Sequence, residues 1–224
     1  CSQKGSFSIM AVLKKGSKKL LNAWAFYDWA NSVYPLVITS AVFPIFYGAL
    51  TIIKDADTGK KISDTVTFLG SDFNNDSLIS YITAISFLVV SIMSPILSGI
   101  SDYVGNKENF MKFFCYLGSL SCIGLYWFSL DNLLFGLICY MLALIGFWGS
   151  LVFYNSYLPD IAYPEQQDKI SAKGFSMGYI GSVVLLLVNL VMILKYDLFG
   201  FEDAGQPTRI AFIMVGIWWM LFAQ

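Results

Sequence analysis

Apolar residues gather in six long blocks, and charge is confined to the short ties between them. Trp29–Ile53, Ser77–Ser101, Phe113–Leu130, Asn132–Pro159 and Gly174–Leu194 contain no charged side chain, and a shorter sixth block runs over Ile210–Gln224. A helix needs roughly 20 apolar residues to cross a ~30 Å hydrocarbon layer. A soluble helix would instead interleave charge at its 3.6-residue period to keep one wet face. The pattern predicts an all-α membrane protein with six transmembrane helices near 23–50, 77–101, 110–130, 132–158, 172–194 and 209–224. A basic segment over 1–20 precedes them.

The ties orient the spans. Lys4, Lys14, Lys15, Lys18 and Lys19 precede the first span without an acid among them. Lys107, Lys112, Lys169 and Lys173 fall in ties on the same side, whereas Lys54, Lys60, Lys61, Lys195 and Arg209 fall on the other. Basic residues accumulate on the cytoplasmic side, so the N-terminus is expected inside. The basic tail suits anionic lipid headgroups, which makes membrane lipid its partner. The one long outer tie, 54–76, is read as a solvated, turn-rich loop. Its alternating Asp and Asn resemble a calcium loop but lack the glycine-centred twelve-residue pattern with a final Glu. Cys rather than Met at position 1, and an apolar run ending at Gln224, suggest a fragment of a longer chain.

Composition narrows the function. The chain is 57% hydrophobic and 13% charged with a net charge of −1, which gives no reason to expect nucleic acid. Histidine is absent, removing the commonest general base and metal ligand. Cys115, Cys122 and Cys139 lie in apolar blocks without zinc-ligand spacing and read as small core residues. No metal or cofactor is expected. With no clustered acids or nucleophile–base pair at one depth, an enzyme is not expected either. No Gly-x-x-x-x-Gly-Lys-Ser/Thr segment is present, so any transport would be gradient-driven.

The candidate chemistry begins at the first span, Asn22-Ala-Trp-Ala-Phe-Tyr-Asp-Trp-Ala-Asn-Ser-Val-Tyr-Pro35. Asp28 is its one acid, and an acid within a membrane needs a partner or a wet cavity. On a 3.6-residue repeat Asp28, Asn31, Ser32 and Thr39 share a face, with Trp24 on the same side. Two readings fit: a substrate or coupling-ion site that includes Tyr27, Asp28, Asn31 and Ser32, or an acid at headgroup depth that is capped locally. Span four ends in a second Asn-Ser pair, Asn155-Ser156, which the alternation of spans places in the same inner half.

The inner tie after span two reads Ser98-Gly-Ile-Ser-Asp102-Tyr-Val-Gly105-Asn-Lys107. This segment resembles the signature loop of the major facilitator superfamily, with Ser98 in place of the first glycine and Asn106 in place of a base. Trp24-Ala-Phe-Tyr-Asp-Trp-Ala-Asn-Ser32, Phe153-Tyr-Asn-Ser-Tyr-Leu-Pro-Asp-Ile-Ala162 and Lys173-Gly-Phe-Ser-Met-Gly-Tyr-Ile-Gly181 resemble the vacuolar amino-acid effluxers of autophagy and their bacterial relatives. The resemblance implies a twelve-helix secondary transporter of a small solute, which in the family's eukaryotic branch is an amino acid. This chain would be its first six-helix half, a 3+3 inverted repeat. The missing C-terminal half would then be its partner. In that reading Asp102, Gly105 and Lys107 form a cytoplasmic gate loop. Asp160 and Lys173 are either a second gating cluster or a solvated network. Gly174, Gly178 and Gly181 read as a packing stripe that lets helix backbones approach in lipid. A membrane-embedded receptor and a self-assembling half-transporter are the alternatives.

Overall fold

The computed structural model describes residues 14–55, 57–104 and 107–224, with residues 101, 102 and 104 described as backbone only. Six helices account for most of them. They are α1 (Lys18–Thr51), α2 (Asn75–Val104), α3 (Lys107–Gly124), α4 (Leu133–Ile161), α5 (Pro164–Leu194) and α6 (Gly205–Phe222). Four of these (α1, α2, α4 and α5) are long and apolar enough to cross a membrane. At 18 residues, α3 and α6 would each rise only ~27 Å. Their first two turns also carry Lys107, Glu108 and Lys112, or Gln206 and Arg209.

The surface carries the same message as the pattern. Only 11% of the most apolar stretch of α2 is buried, and Phe87, Leu88, Ile92 and Ile96 lie open on it. Along α5, Ile180, Val183, Val184, Leu187, Val188 and Val191 are also exposed. Water would penalise such faces by about 25 cal/mol per Å² of apolar surface. Hydrocarbon does not. The chain is an integral, multi-pass α-helical membrane protein.

Interhelical packing rests on small residues and aromatic rings. The tightest pairs are α3 on α4, α1 on α5, α3 on α6 and α2 on α4. A Cβ on Gly146 would stand 2.5 Å from the backbone of Gly118, so α3 and α4 cross backbone to backbone there. Gly118 also accommodates the Trp219 ring of α6. Around this crossing Tyr34, Phe43, Phe46, Phe128, Phe147, Phe212 and Trp219 form the core. Phe43 stacks on Tyr140 with ring centres 4.3 Å apart.

One face of the bundle gathers the N-terminal segment and the α2–α3 and α4–α5 junctions. Gly16 takes a left-handed φ of 78°, and its N–H donates to Ile161 O at 2.7 Å. The Lys15 ammonium donates to Pro159 O at 2.6 Å, and Lys107 pairs with Asp160 at 2.8 Å. The opposite face carries the remaining ties. There Arg209 donates to Tyr126 O and Phe128 O at 2.7 and 2.6 Å, serving carbonyls just past the end of α3.

Two expectations change. The 54–76 tie is folded rather than a loop, as two antiparallel hairpins. These are β1 (Ile53–Lys54) with β2 (Lys61–Ser63), and β3 (Thr65–Phe68) with β4 (Ser71–Asn74). Val66 turns inward between exposed Thr65 and Thr67, and the Leu69-Gly70 turn has φ of 51° and 81°. Helix α5 starts at Pro164 rather than near 172, so Glu165, Asp168 and Lys169 are helical. Pro164 sits in its first turn, and the Tyr163 N–H donates to Gln166 Oε1 at 3.1 Å.

Candidate functional site

The polar stripe of α1 opens onto a cavity of about 360 Å³ between α1, α4 and α5. Asp28, Asn31, Ser32 and Ser40 line it from α1, with Trp24, Pro35 and Leu36. Tyr154, Asn155, Phe147 and Leu151 come from α4; Ser171, Phe175, Tyr179 and Ser182 come from α5. Polar side chains from all three helices mix with aromatic and aliphatic ones in the lining, as a small-solute site requires.

The backbone of α1 is rewound beside the cavity. Tyr34–Val42 runs as a π-helix, with prolines at 35 and 44 bracketing it. Each proline lacks an N–H and crowds the carbonyl four residues back, so i→i+4 bonding fails and the ladder widens to i→i+5. The Ser40 hydroxyl follows that spacing and donates to Pro35 O at 2.9 Å. The extra residue shifts the phase of everything beyond it. Ser40 therefore lines the cavity, and Thr39, expected on the stripe, does not.

Close packing between α1 and α5 shapes the Asp28 side of the lining. A Cβ on Gly174 would meet Asp28 Oδ2 at 2.7 Å and the Tyr154 hydroxyl at 3.2 Å; one on Gly178 would meet Ser32 Oγ at 2.5 Å. Gly181 lies over Trp29 in the same way, at 3.0 Å. The glycine stripe of α5 is thus seated on the Asp28–Ser32 face of α1. Trp24 ties that face to α4: its ring stacks on Tyr154 at 4.2 Å, and its Nε1–H donates to Tyr154 O at 2.9 Å.

Several polar atoms at the cavity have no hydrogen-bond partner. Asn31 Nδ2 and Ser182 Oγ are buried and unpaired, and the Tyr154 hydroxyl is buried beside the Asp28 carboxylate. Asn31 is 1% exposed and Ser182 1%. Asp28 is half-buried, and no Lys or Arg among the described residues lines the cavity with it. Buried polar groups are normally satisfied, so an unpaired set converging on one space points to something that enters it.

The other sequence candidates fall as follows. Tyr27 does not line the cavity. About 100° of helical rotation from Asp28 turns it into the core, where its ring centre lies 5.0 Å from that of Tyr154. The side chain of Asp102, and Gly105 altogether, lie outside the described residues. Lys107 reaches Asp160 Oδ2 and also Ser156 O at 3.3 Å, which joins the start of α3 to the end of α4. Lys173 does not meet Asp160; it donates to Asn22 Oδ1 at 2.6 Å on α1. Asn189 is fully buried away from the cavity with both amide atoms unpaired. Sequence reasoning missed Tyr154, Ser171, Phe175, Tyr179 and Ser182. Tyr154 and Ser182 carried a usable signal, since each is a polar tip within an apolar run.

Fold and site together define a multi-pass membrane protein with a polar cavity among its helices. The family model described as "Vacuole effluxer Atg22 like" matches residues 16–167 and 164–224. The chain belongs to that family, and with it to the major facilitator type of transporter. It is 33% identical over 211 residues to the uncharacterized MFS-type transporter YxiO of Bacillus subtilis, covering 94% of this chain and 46% of YxiO. Autophagy-related protein 22 of Saccharomyces cerevisiae is 22% identical over 242 residues, covering 93% of this chain and 45% of that protein. The Pyricularia oryzae protein of the same name is 21% identical over 279 residues, at 92% and 40%. The chain thus spans about half the length of these curated relatives. No solved structure matches it.

Proposed function

We propose that this chain forms one wall of the solute pathway in a secondary transporter that works by alternating access, from a bacterial cytoplasmic membrane with its N-terminus inside. The observation that carries this reading is the cavity itself. It combines an acid without a cationic neighbour among the described residues and two unpaired buried polar atoms, between helices whose outer faces suit lipid. A purely structural role would leave those groups paired or replaced by apolar ones.

The six helices act as one half, arranged as a 3+3 repeat, and a second six-helix half closes the cavity from the other side. Rocking of the halves exposes the cavity to each face in turn. The gate loop at Asp102, Gly105 and Lys107 holds the inner face, with the Lys107–Asp160 contact as one of its fastenings. Because Asp160 is exposed, that contact contributes only about 0–1 kcal/mol, so it can break in each cycle. Amino acids are the solute class to try first, following the resemblance to vacuolar effluxers.

The test is solute flux from proteoliposomes holding the whole protein. Asp28→Asn is expected to reduce flux by at least about 10-fold, the worth of one charged hydrogen bond. The variant should still insert and melt like the parent. Unchanged flux in Asp28→Asn would remove Asp28 from the pathway and return it to a boundary role.

A further inference from the structure

We infer that the α1–α4–α5 cavity is a binding site for an organic ammonium group, with the Asp28 carboxylate as its counter-ion. The inference rests on the transport reading for its setting, and it adds the charge and chemistry of the group that this wall recognises.

The sign of the charge follows from the lining. Asp28 is the only acidic or basic side chain in that lining, and the nearby bases are committed elsewhere: Lys173 to Asn22, and Lys107 to the Asp160 end of α4. An anion entering the cavity would face the carboxylate with no lysine or arginine to offset it. A cation would complete a pair that the described residues leave open.

Hydrogen-bond capacity points the same way. An ammonium brings three donors and no acceptor. Asp28 Oδ2 and the Tyr154 hydroxyl lie near one point against Gly174, the hydroxyl buried and the carboxylate part-exposed at the cavity. Both accept. The Ser182 hydroxyl is a third available acceptor on the same cavity. The Trp24 indole N–H is already spent on Tyr154 O, while the open Asn31 amide can donate to an oxygen elsewhere on the same solute.

The remaining surface suits the carbon skeleton attached to such a group. Phe147 and Leu151 on α4, with Phe175 and Tyr179 on α5, present apolar and aromatic surface among the polar groups. Aromatic faces also attract a cation as it sheds water. A volume of about 360 Å³ is at the small end of ligand sites and fits a solute of a few carbons.

The experiment is thermal melting of the whole purified protein with matched short-chain probes at constant ionic strength. The probes are alkylammonium ions from methylammonium to pentylammonium, the alkanoates of equal chain length and the corresponding alcohols. Saturable stabilisation by at least one alkylammonium is expected, with none from the alkanoates or alcohols. Asp28→Glu should retain it. Asp28→Asn should weaken it by roughly 10- to 100-fold. Since the Asn variant could be misfolded, its melting without probe is recorded beside the parent's. A variant that melts poorly is replaced by Tyr154→Phe, expected to weaken the same probes several-fold.

Stabilisation by alkanoates, no response to any alkylammonium, or an undiminished response in a well-folded Asp28→Asn protein would each overturn the assignment. Flux measurement separates this from the transport reading. Flux of a solute without an amino group, in a protein indifferent to alkylammonium, leaves a transporter without an ammonium site. Alkylammonium binding with no flux of any amine leaves the ammonium site without a transporter.

Discussion

At Asp28 a carboxylate, a tyrosine hydroxyl and a missing side chain meet, and each depends on the other two. Gly174 lets α5 come close enough to shield the acid, while Tyr154 brings a hydroxyl alongside without using it elsewhere. Tyr154→Phe separates structure from function here. The ring stack on Trp24 and the indole bond to the backbone survive, so the variant should melt within a few degrees of the parent, because only the hydroxyl's contact with Asp28 is lost. Flux should fall by roughly 10-fold if the hydroxyl touches solute. Full flux would make Tyr154 a packing residue only. The acid and its two companions on α1 were legible because Asp28, Asn31 and Ser32 repeat at three and four residues within an apolar run. Tyr154 and Ser182 were not singled out, since each sits one or two positions from a more obvious motif: Tyr154 beside Asn155-Ser156, and Ser182 beside Gly181. Adjacency in sequence misled in the opposite sense for Tyr27, which neighbours Asp28 in the chain yet faces the core.

Among elements, the crossing of α3 on α4 and the rewound stretch of α1 impose the strictest demands. Gly146→Ala would drive a methyl to within 2.5 Å of Gly118 Cα and N and 2.8 Å of Phe114 O, all backbone atoms that cannot rotate away. The helices must separate, and overpacking of this kind costs typically 1–3 kcal/mol. Gly48→Ala is the control, because its new methyl would find only Ile52 Cδ1, at an ordinary 3.7 Å. Melting of the two variants in one detergent should therefore differ by several degrees, with Gly146→Ala the lower. Equal melting points would mean that α3 and α4 do not cross there. Which glycines pack was readable as small residues at three- and four-residue spacing, but which helix each meets was not, since spacing carries no information about partners. The π-helical stretch was less legible still. Pro35 and Pro44 are visible in the sequence, yet prolines this far apart also fit a simple kink, and only the register of Ser40 against Thr39 reveals the added residue.

Across the whole molecule, the alternation of helices sorts charge between two faces, and that sorting predicts how the protein sits in its membrane. Lys14, Lys15, Lys18, Lys19, Lys107, Lys112, Lys169 and Lys173 cluster with the Lys15–Pro159 and Lys107–Asp160 contacts. The hairpins and the α5–α6 tie on the opposite face carry Asp55, Asp57, Asp64, Asp72, Asp197, Glu202 and Asp203 against fewer bases. Positive charge is retained on the cytoplasmic side, so the first face should be internal. The protein's own cysteines favour the test, because Cys115, Cys122 and Cys139 are buried and free and should stay silent to a membrane-impermeant maleimide. In a Cys1→Ser background, Leu69→Cys and Glu202→Cys should label in intact cells, since both positions are exposed on the hairpin face. Asp168→Cys and Lys169→Cys, exposed on the first turns of α5, should label only after the membrane is opened. Labelling of both pairs from one side would break the alternation of helices on which the cavity depends. Labelling of opposite sides in the reverse sense would keep the fold and the cavity but invert the protein, turning the Lys107–Asp160 contact into an outer fastening.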